Sequence, residues 1–138
     1  MINEASVYDV SINSPTTYAA NLSMKEGNEI YLKREDIQPI FSFKNRGAFN
    51  KIVNLSEDKK SRGIIAASAG NHAQGVALAC KKLKIKCTIV MPVTAPENKL
   101  NAVKRLGAKI ILHGENLGDA LAHADKINKK HKYTFVHP

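Results

Sequence analysis

A chain of 138 residues, 43% of them hydrophobic and 24% charged, is the size of one domain with an ordinary globular composition. No apolar run approaches the ~20 residues that span a bilayer. Met1-Ile2-Asn3-Glu4 has neither the basic start nor the apolar stretch of a signal peptide, so no membrane partner is expected and a cytoplasmic location is. The formal charge of +9 raises the question of polyanion binding. The lysine pairs Lys59-Lys60, Lys81-Lys82 and Lys129-Lys130 fall at expected helix ends, where cations complement the dipole. No aromatic residues interleave with them and there is no Trp, so no nucleic-acid partner is expected.

In chain order, Glu29 to Lys33 alternates as a strand and leads into Arg34-Glu35-Asp36, a charged turn expected to pair locally. Apolar residues at Phe43, Ala48, Phe49, Ile52, Val53 and Leu55 fall at helical spacing, with Ser42 as the expected N-cap. Gly63 to Ala67 is a short apolar strand, and Asn71 to Leu83 a helix whose Val76, Leu78, Ala79 and Leu83 are core positions. The alternation continues with strand 86–91, helix 96–106, strand 109–112, helix 117–130 and strand 133–136. Pro96 stands near the first turn of its helix and Gly107 closes it. Strands alternating with helices imply right-handed crossovers and an α/β fold with a parallel sheet. His137-Pro138 follows the last strand directly, where a doubly wound domain would normally continue.

Two segments carry chemistry. Ser42-Phe43-Lys44-Asn45-Arg46-Gly47-Ala48 puts a lysine beside an aromatic ring in the first turn of a helix, where the dipole disfavours an ammonium. Such an amine is suited to imine formation and proton transfer. Ser68-Ala69-Gly70-Asn71-His72 joins a strand to a helix with small side chains, free N–H groups and one amide. That turn reads equally well as a receptor for a carboxylate or phosphate and as a plain turn capped by Asn71. Together, one amine and one anion-binding turn suggest a carbonyl cofactor held as a Schiff base, which points to pyridoxal-phosphate chemistry.

The other candidates are bland. Cys80 and Cys87 form no C-x-x-C pair and read as reduced, half-buried thiols. His113 and His123 flank Asp119 on different elements without a ligand pattern, so no metal is expected. His131 and His137 read as surface and strand-end residues.

The segments resemble the threonine/serine dehydratases, pyridoxal-phosphate enzymes of the tryptophan-synthase-β-like fold (fold type II), on the threonine dehydratase side of that family. Lys33-Arg34-Glu35-Asp36-Ile37-Gln38-Pro39 and the Lys44 segment are similar to its strand, loop and cofactor lysine. Ala66 to Gly75 is similar to its substrate-carboxylate loop, and Ile89 to Pro96, Leu112-His113-Gly114 and Phe135 to Pro138 also match. The resemblance runs from about Val7 to the last residue, and Ser14-Pro15-Thr16-Thr17 departs from the family's Pro-Leu step.

It implies that Lys44 holds pyridoxal 5'-phosphate and moves the substrate Cα proton, that Phe43 packs beside the pyridine ring, and that Asn71 bonds the ring's 3-hydroxyl oxygen. Ser68, Ala69, Gly70, Asn71 and His72 would cradle the substrate carboxylate, His72 by orientation rather than acid–base work. The implied reaction is elimination from L-threonine to 2-oxobutanoate and ammonia. A serine dehydratase or serine racemase is the nearest rival, and a non-catalytic module or a polyanion-binding module the more distant ones. The resemblance further implies a large-domain segment at about 1–62, a small three-layer α/β domain at about 63–138, and a homo-oligomer at full length. The family's glycine-rich phosphate loop, and the residue facing the pyridine nitrogen after it, have no counterpart in these residues. A piece of an enzyme, inactive alone, is therefore expected.

Overall fold

Four short segments rich in β-branched and small apolar residues line up as a parallel sheet in a computed structural model, which describes residues 4–138. The reading of residues 1–3 as lacking a leader lies outside those described. Strands β3 (Ile64–Ala67), β4 (Cys87–Met91), β5 (Lys109–Leu112) and β6 (Thr134–Phe135) take the order β5-β4-β3-β6, all pairs parallel. Helices α4 (Asn71–Leu83), α5 (Glu97–Arg105) and α6 (Leu117–His131) make the crossovers. Strand periodicity divides the core into two faces. Ile64, Ala66, Ile89 and Met91 pack in one cluster with Val76, Ala79 and Val103, while Ile65, Ala67 and Val90 pack with Ala120 and Ala124 of α6. Three layers result.

The N-terminal part adds a two-stranded antiparallel sheet, β1 (Thr16–Tyr18) with β2 (Tyr31–Lys33), around α1 (Ala20–Glu26). Helix α2 (Lys44–Val53) lies against α4, and its Ala48, Phe49 and Ile52 enter the first core cluster. A short α3 (Glu57–Ser61), capped by the Ser56 side chain, leads to β3. Within the β3-to-β6 region every expected element appears within a residue or two of its place, the helix over 71–83 at both ends. Strand β1 and helices α1 and α3 were not foreseen; each is three to seven residues long and too short for a periodic signal.

Two expectations need correcting. Phe43, not Ser42, holds the N-cap position of α2: its backbone is already helical (φ −64°, ψ −12°), and no side chain caps the helix. Ser42 still contributes, accepting the Lys44 N–H at 3.3 Å. The turn 34–36 pairs locally only in part. Arg34 clasps Asp36 at 2.7 and 2.8 Å, but Glu35 reaches eleven residues along the chain to Arg46. Cys80 is buried, Cys87 half-buried, and both are free. No described helix is long and apolar enough to cross a membrane.

Candidate active site

Lys44 is the first residue of α2, and a buried polar network fixes the chain that leads into it. Gln38 is fully buried and closes a two-way bond with the backbone of Ile12: its Oε1 accepts from Ile12 N at 3.0 Å and its Nε2 donates to Ile12 O at 2.9 Å. Asn45, equally buried, donates from Nδ2 to Ser11 Oγ at 3.0 Å and Gln38 Oε1 at 3.2 Å. Arg46 forks onto Glu35 with bonds of 2.8 and 3.0 Å, and Ser14 Oγ donates to the same carboxylate. The Arg46 guanidinium and the Ser14 hydroxyl outweigh burial and hold the Glu35 carboxyl down at about 2. Ser14, at the step that departs from the family pattern, is thus a buried member of this network. Residues on both sides of Lys44 are anchored, so its backbone has little freedom.

The β3–α4 turn is built differently. Ser68 continues β3, its N–H donating to Val90 O at 3.1 Å, and its hydroxyl accepts from Gly70 N at 3.1 Å. Gly70 occupies the N-cap of α4, where no side chain bonds the helix. The first N–H groups of α4, from Asn71, His72 and Ala73, therefore have no acceptor within the helix. Asn71 does not cap its helix. Its Oδ1 accepts instead from Lys99 Nζ of α5 at 2.8 Å.

A cleft of about 480 Å³ opens where the starts of α2 and α4 meet the end of β6. Phe43, Lys44, Ala48, His72, Val136 and His137 are among its lining residues. The Lys44 ammonium stands 5.7 Å from the centre of the Phe43 ring. His72 Nε2 lies 3.0 Å from Val136 O. A carbonyl only accepts, so that nitrogen carries the proton and Nδ1 keeps its lone pair. Burial, with the Lys44 cation nearby, pushes the His72 pKa below its ordinary value, although the Val136 carbonyl works against this. Neutral His72 ties the first turn of α4 to the end of β6. The structure thus brings Lys44, Phe43 and His72 together in one cleft, while Ser68, Ala69, Gly70 and Asn71 form the turn immediately before His72 and do not line it.

Gly75 is a residue whose part the sequence did not disclose. A Cβ there would stand 2.8 Å from the Lys44 carbonyl oxygen and 3.3 Å from Ala48 Cβ. Only glycine lets α4 approach α2 this closely at the lysine itself. Its four-residue spacing from Asn71 was the available signal, since both then share a helix face. His113 and His123, which the sequence left apart, stack at 3.8 Å with an interplanar angle of 13°. Among the described residues no group of three or more metal-ligating side chains converges.

A parallel α/β sheet that sets a lysine amine beside an uncapped helix start is the equipment of a protein that handles a carbonyl cofactor and an anion. Residues 7–138 match the family model described as pyridoxal-phosphate dependent enzyme, and the chain belongs to that family. It is 53% identical over 132 residues to a threonine dehydratase of Nicotiana attenuata, covering 96% of this chain and 22% of that protein. A biosynthetic L-threonine dehydratase of Burkholderia multivorans is 49% identical over 137 residues, covering 97% and 27%. Among solved structures, the processed form of threonine deaminase isoform 2 from Solanum lycopersicum superposes with a TM-score of 0.91 at 46% identity, covering 98% of this chain and 39% of that one. Maize serine racemase gives 0.92 at 30% identity, covering 99% and 42%. The chain spans roughly a quarter of the length of these curated relatives.

The residues present fit part of the family's cofactor. The amine, the Phe43 ring and the donors at α4 suit an aromatic aldehyde with an oxygen substituent. The eight glycines include no two neighbours, so these residues hold no glycine-rich cradle for a phosphate.

Proposed function

We propose that the chain is the N-terminal part of a pyridoxal-phosphate-dependent threonine dehydratase, which converts L-threonine to 2-oxobutanoate and ammonia. The observation that carries this reading is Lys44: a family member's lysine, anchored on both sides, in a cleft beside an aromatic face. The identity of about half to proteins named threonine dehydratases supports threonine as the substrate. When bound, the cofactor supplies the electron sink for the elimination. Lys44 Nζ would hold the cofactor by its carbonyl carbon and, once released as the free amine, would take the proton from the substrate Cα. Phe43 excludes water from one side of the ring, and the Asn71 amide donates to the ring's hydroxyl oxygen. Ser68, Ala69, Gly70, Asn71 and His72 form the turn that receives the amino acid's carboxylate, Asn71 and His72 through N–H groups that α4 leaves open. His72, neutral and fixed to Val136, orients that turn and moves no proton.

The reading extends to architecture. Residues 1–62 belong to a large cofactor domain and 63–138 to a small domain, with α2 packed on α4 across the division. The 138 residues alone do not turn threonine over, because the phosphate would lack a cradle. The whole enzyme is a homo-oligomer of the cytoplasm in isoleucine biosynthesis. The name biosynthetic on several relatives supports the pathway, and the exposed Met24 and Phe41 support association. Light scattering checks association and fractionation the compartment; recovery of the protein in an organelle, as the names of some relatives state for them, would overturn the latter. A serine racemase or dehydratase is the second reading, favoured by the close superposition on maize serine racemase.

The test is borohydride reduction of the chain with pyridoxal phosphate, followed by peptide mapping. A reduced adduct on Lys44, competed by threonine better than by serine, is expected. Labelling spread evenly over surface lysines would sink the assignment, and a preference for serine would favour the second reading.

A further inference from the structure

An asparagine amide can face a ligand with its oxygen or with its nitrogen, and only the nitrogen donates. We propose that Lys99 decides between them: it is a positioning residue that holds Oδ1 of Asn71 and so turns Nδ2 toward the ligand. The proposal rests on the reading of Asn71 as a contact to the cofactor's ring oxygen.

Three observations carry it. Lys99 Nζ stands 2.8 Å from the Asn71 side chain, and an ammonium has three donors and no acceptor, so its partner must be the oxygen. Nδ2 of Asn71 then has no protein partner among the described residues and is left free to donate. Electrostatics alone does not explain the lysine's place. Lys99 lies in the first turn of α5 and reaches the first residue of α4, so two positive helix ends converge on one ammonium. Dipoles disfavour a cation there, and among the described residues no carboxylate pairs with it. The Lys99 N–H donates to Pro96 O at 2.9 Å, which fixes the start of α5 and hence the root of the side chain. Among the described residues the bond to Asn71 Oδ1 is the hydrogen bond that the Lys99 ammonium makes, and its effect is to set the amide.

The first measurement needs no cofactor. In the 138-residue chain labelled with nitrogen-15, Lys99→Met should shift the side-chain amide pair of Asn71 more than the backbone amides of Ser68 to His72. Lys99→Arg, which keeps a donor, should restore it in part. An Asn71 amide that Lys99→Met leaves in place overturns the proposal.

The second measurement titrates pyridoxal phosphate into borohydride-fixed capture at Lys44 and follows the absorbance maximum of the bound cofactor. Asn71→Ala and Lys99→Met should each weaken capture about three- to tenfold, the range for one hydrogen bond to a partly exposed group. They should move the maximum in the same direction. The double variant should be no weaker than Asn71→Ala alone, because Lys99 acts only through Asn71. Losses that add, or a maximum that only Asn71→Ala moves, overturn the role of Lys99. Where the wild-type chain captures no cofactor, the amide signal alone decides whether Lys99 orients Asn71.

Discussion

Helices α4 and α6 each follow the C-terminal end of a strand in the parallel sheet, yet their first turns are finished in opposite ways. At α6, Asn116 is the N-cap: its Oδ1 accepts Asp119 N at 3.0 Å, and Asp119 Oδ2 accepts Glu115 N at 3.0 Å. The acid in the first turn also complements the dipole. Gly114 closes that turn, with φ +70° and a missing Cβ that would collide with Asp119. At α4 there is no capping side chain and no acid in the first turn; the neighbouring charge is the Lys99 cation. One helix start is complete in its own sequence. The other leaves its first N–H groups open, and Lys44, the first residue of α2, lines the same cleft as its His72.

The largest effect that would break this contrast is at Lys44. Lys44→Ala should abolish the borohydride-fixed adduct while leaving the thermal transition within about 1 kcal/mol of wild type, because the side chain is half-buried and enters no core cluster. Peptide mapping and calorimetry read the two separately. An adduct of undiminished yield on another residue would mean that the cleft does not select this amine.

Next in size is Gly75→Ala. The new Cβ would press on the Lys44 carbonyl at 2.8 Å, and backbone does not move as a side-chain tip does. We expect about 1–3 kcal/mol of destabilisation, the range for overpacking, together with weaker capture at Lys44. Denaturant midpoints and cofactor titration check it. A variant as stable as wild type with unchanged capture would show that α2 and α4 are not held together at this point.

How much of this was legible in the sequence follows from the range of the interactions. The parallel sheet was readable because short apolar runs such as Ile64 to Ala67 alternate with helical stretches such as Asn71 to Leu83, and both signals are local. Lys44 and the turn 68–72 were readable because residue type and helix position are both local. Contacts between distant segments were not. Nothing near Glu35 marks Arg46 as its partner, and a local pair with Arg34 was the natural reading of a charged triplet. The Lys99–Asn71 bond spans 28 residues, and the room that Gly75 leaves is defined by a different helix. Sequence patterns name the chemical groups. Their orientation comes from packing.

The Glu35–Arg46 pair yields a pH dependence that belongs to the anchoring of Lys44. Glu35 titrates at about 2 in the folded chain against an ordinary carboxyl near 4.5. A depressed folded value means the contribution is present above the unfolded pKa and lost as pH falls, here from about 4.5 toward 2. With both side chains still partly exposed, we expect about 1–2 kcal/mol from this pair. Glu35→Gln should flatten that part of the stability profile in chemical denaturation between these pH values. A profile with the same slope in the variant would assign the acid sensitivity to other carboxylates.

The smallest expected effect sharpens the comparison between the two helices most directly. Asn116→Ala removes the side-chain acceptor from α6 and leaves the Asp119 N–H unpaired, at a cost of about 1 kcal/mol. Capture at Lys44 should not change, because α6 packs on the sheet face opposite α2 and α4. The corresponding change at α4, Asn71→Ala, should do the reverse: little loss of stability, since Asn71 caps nothing, and a clear loss of cofactor. Two asparagines beside two helix starts would then separate by function, one holding its own helix and the other held by Lys99 for a ligand. If both variants lost stability equally and neither changed capture, α4 would be an ordinary helix start and its open N–H groups would be satisfied by water alone.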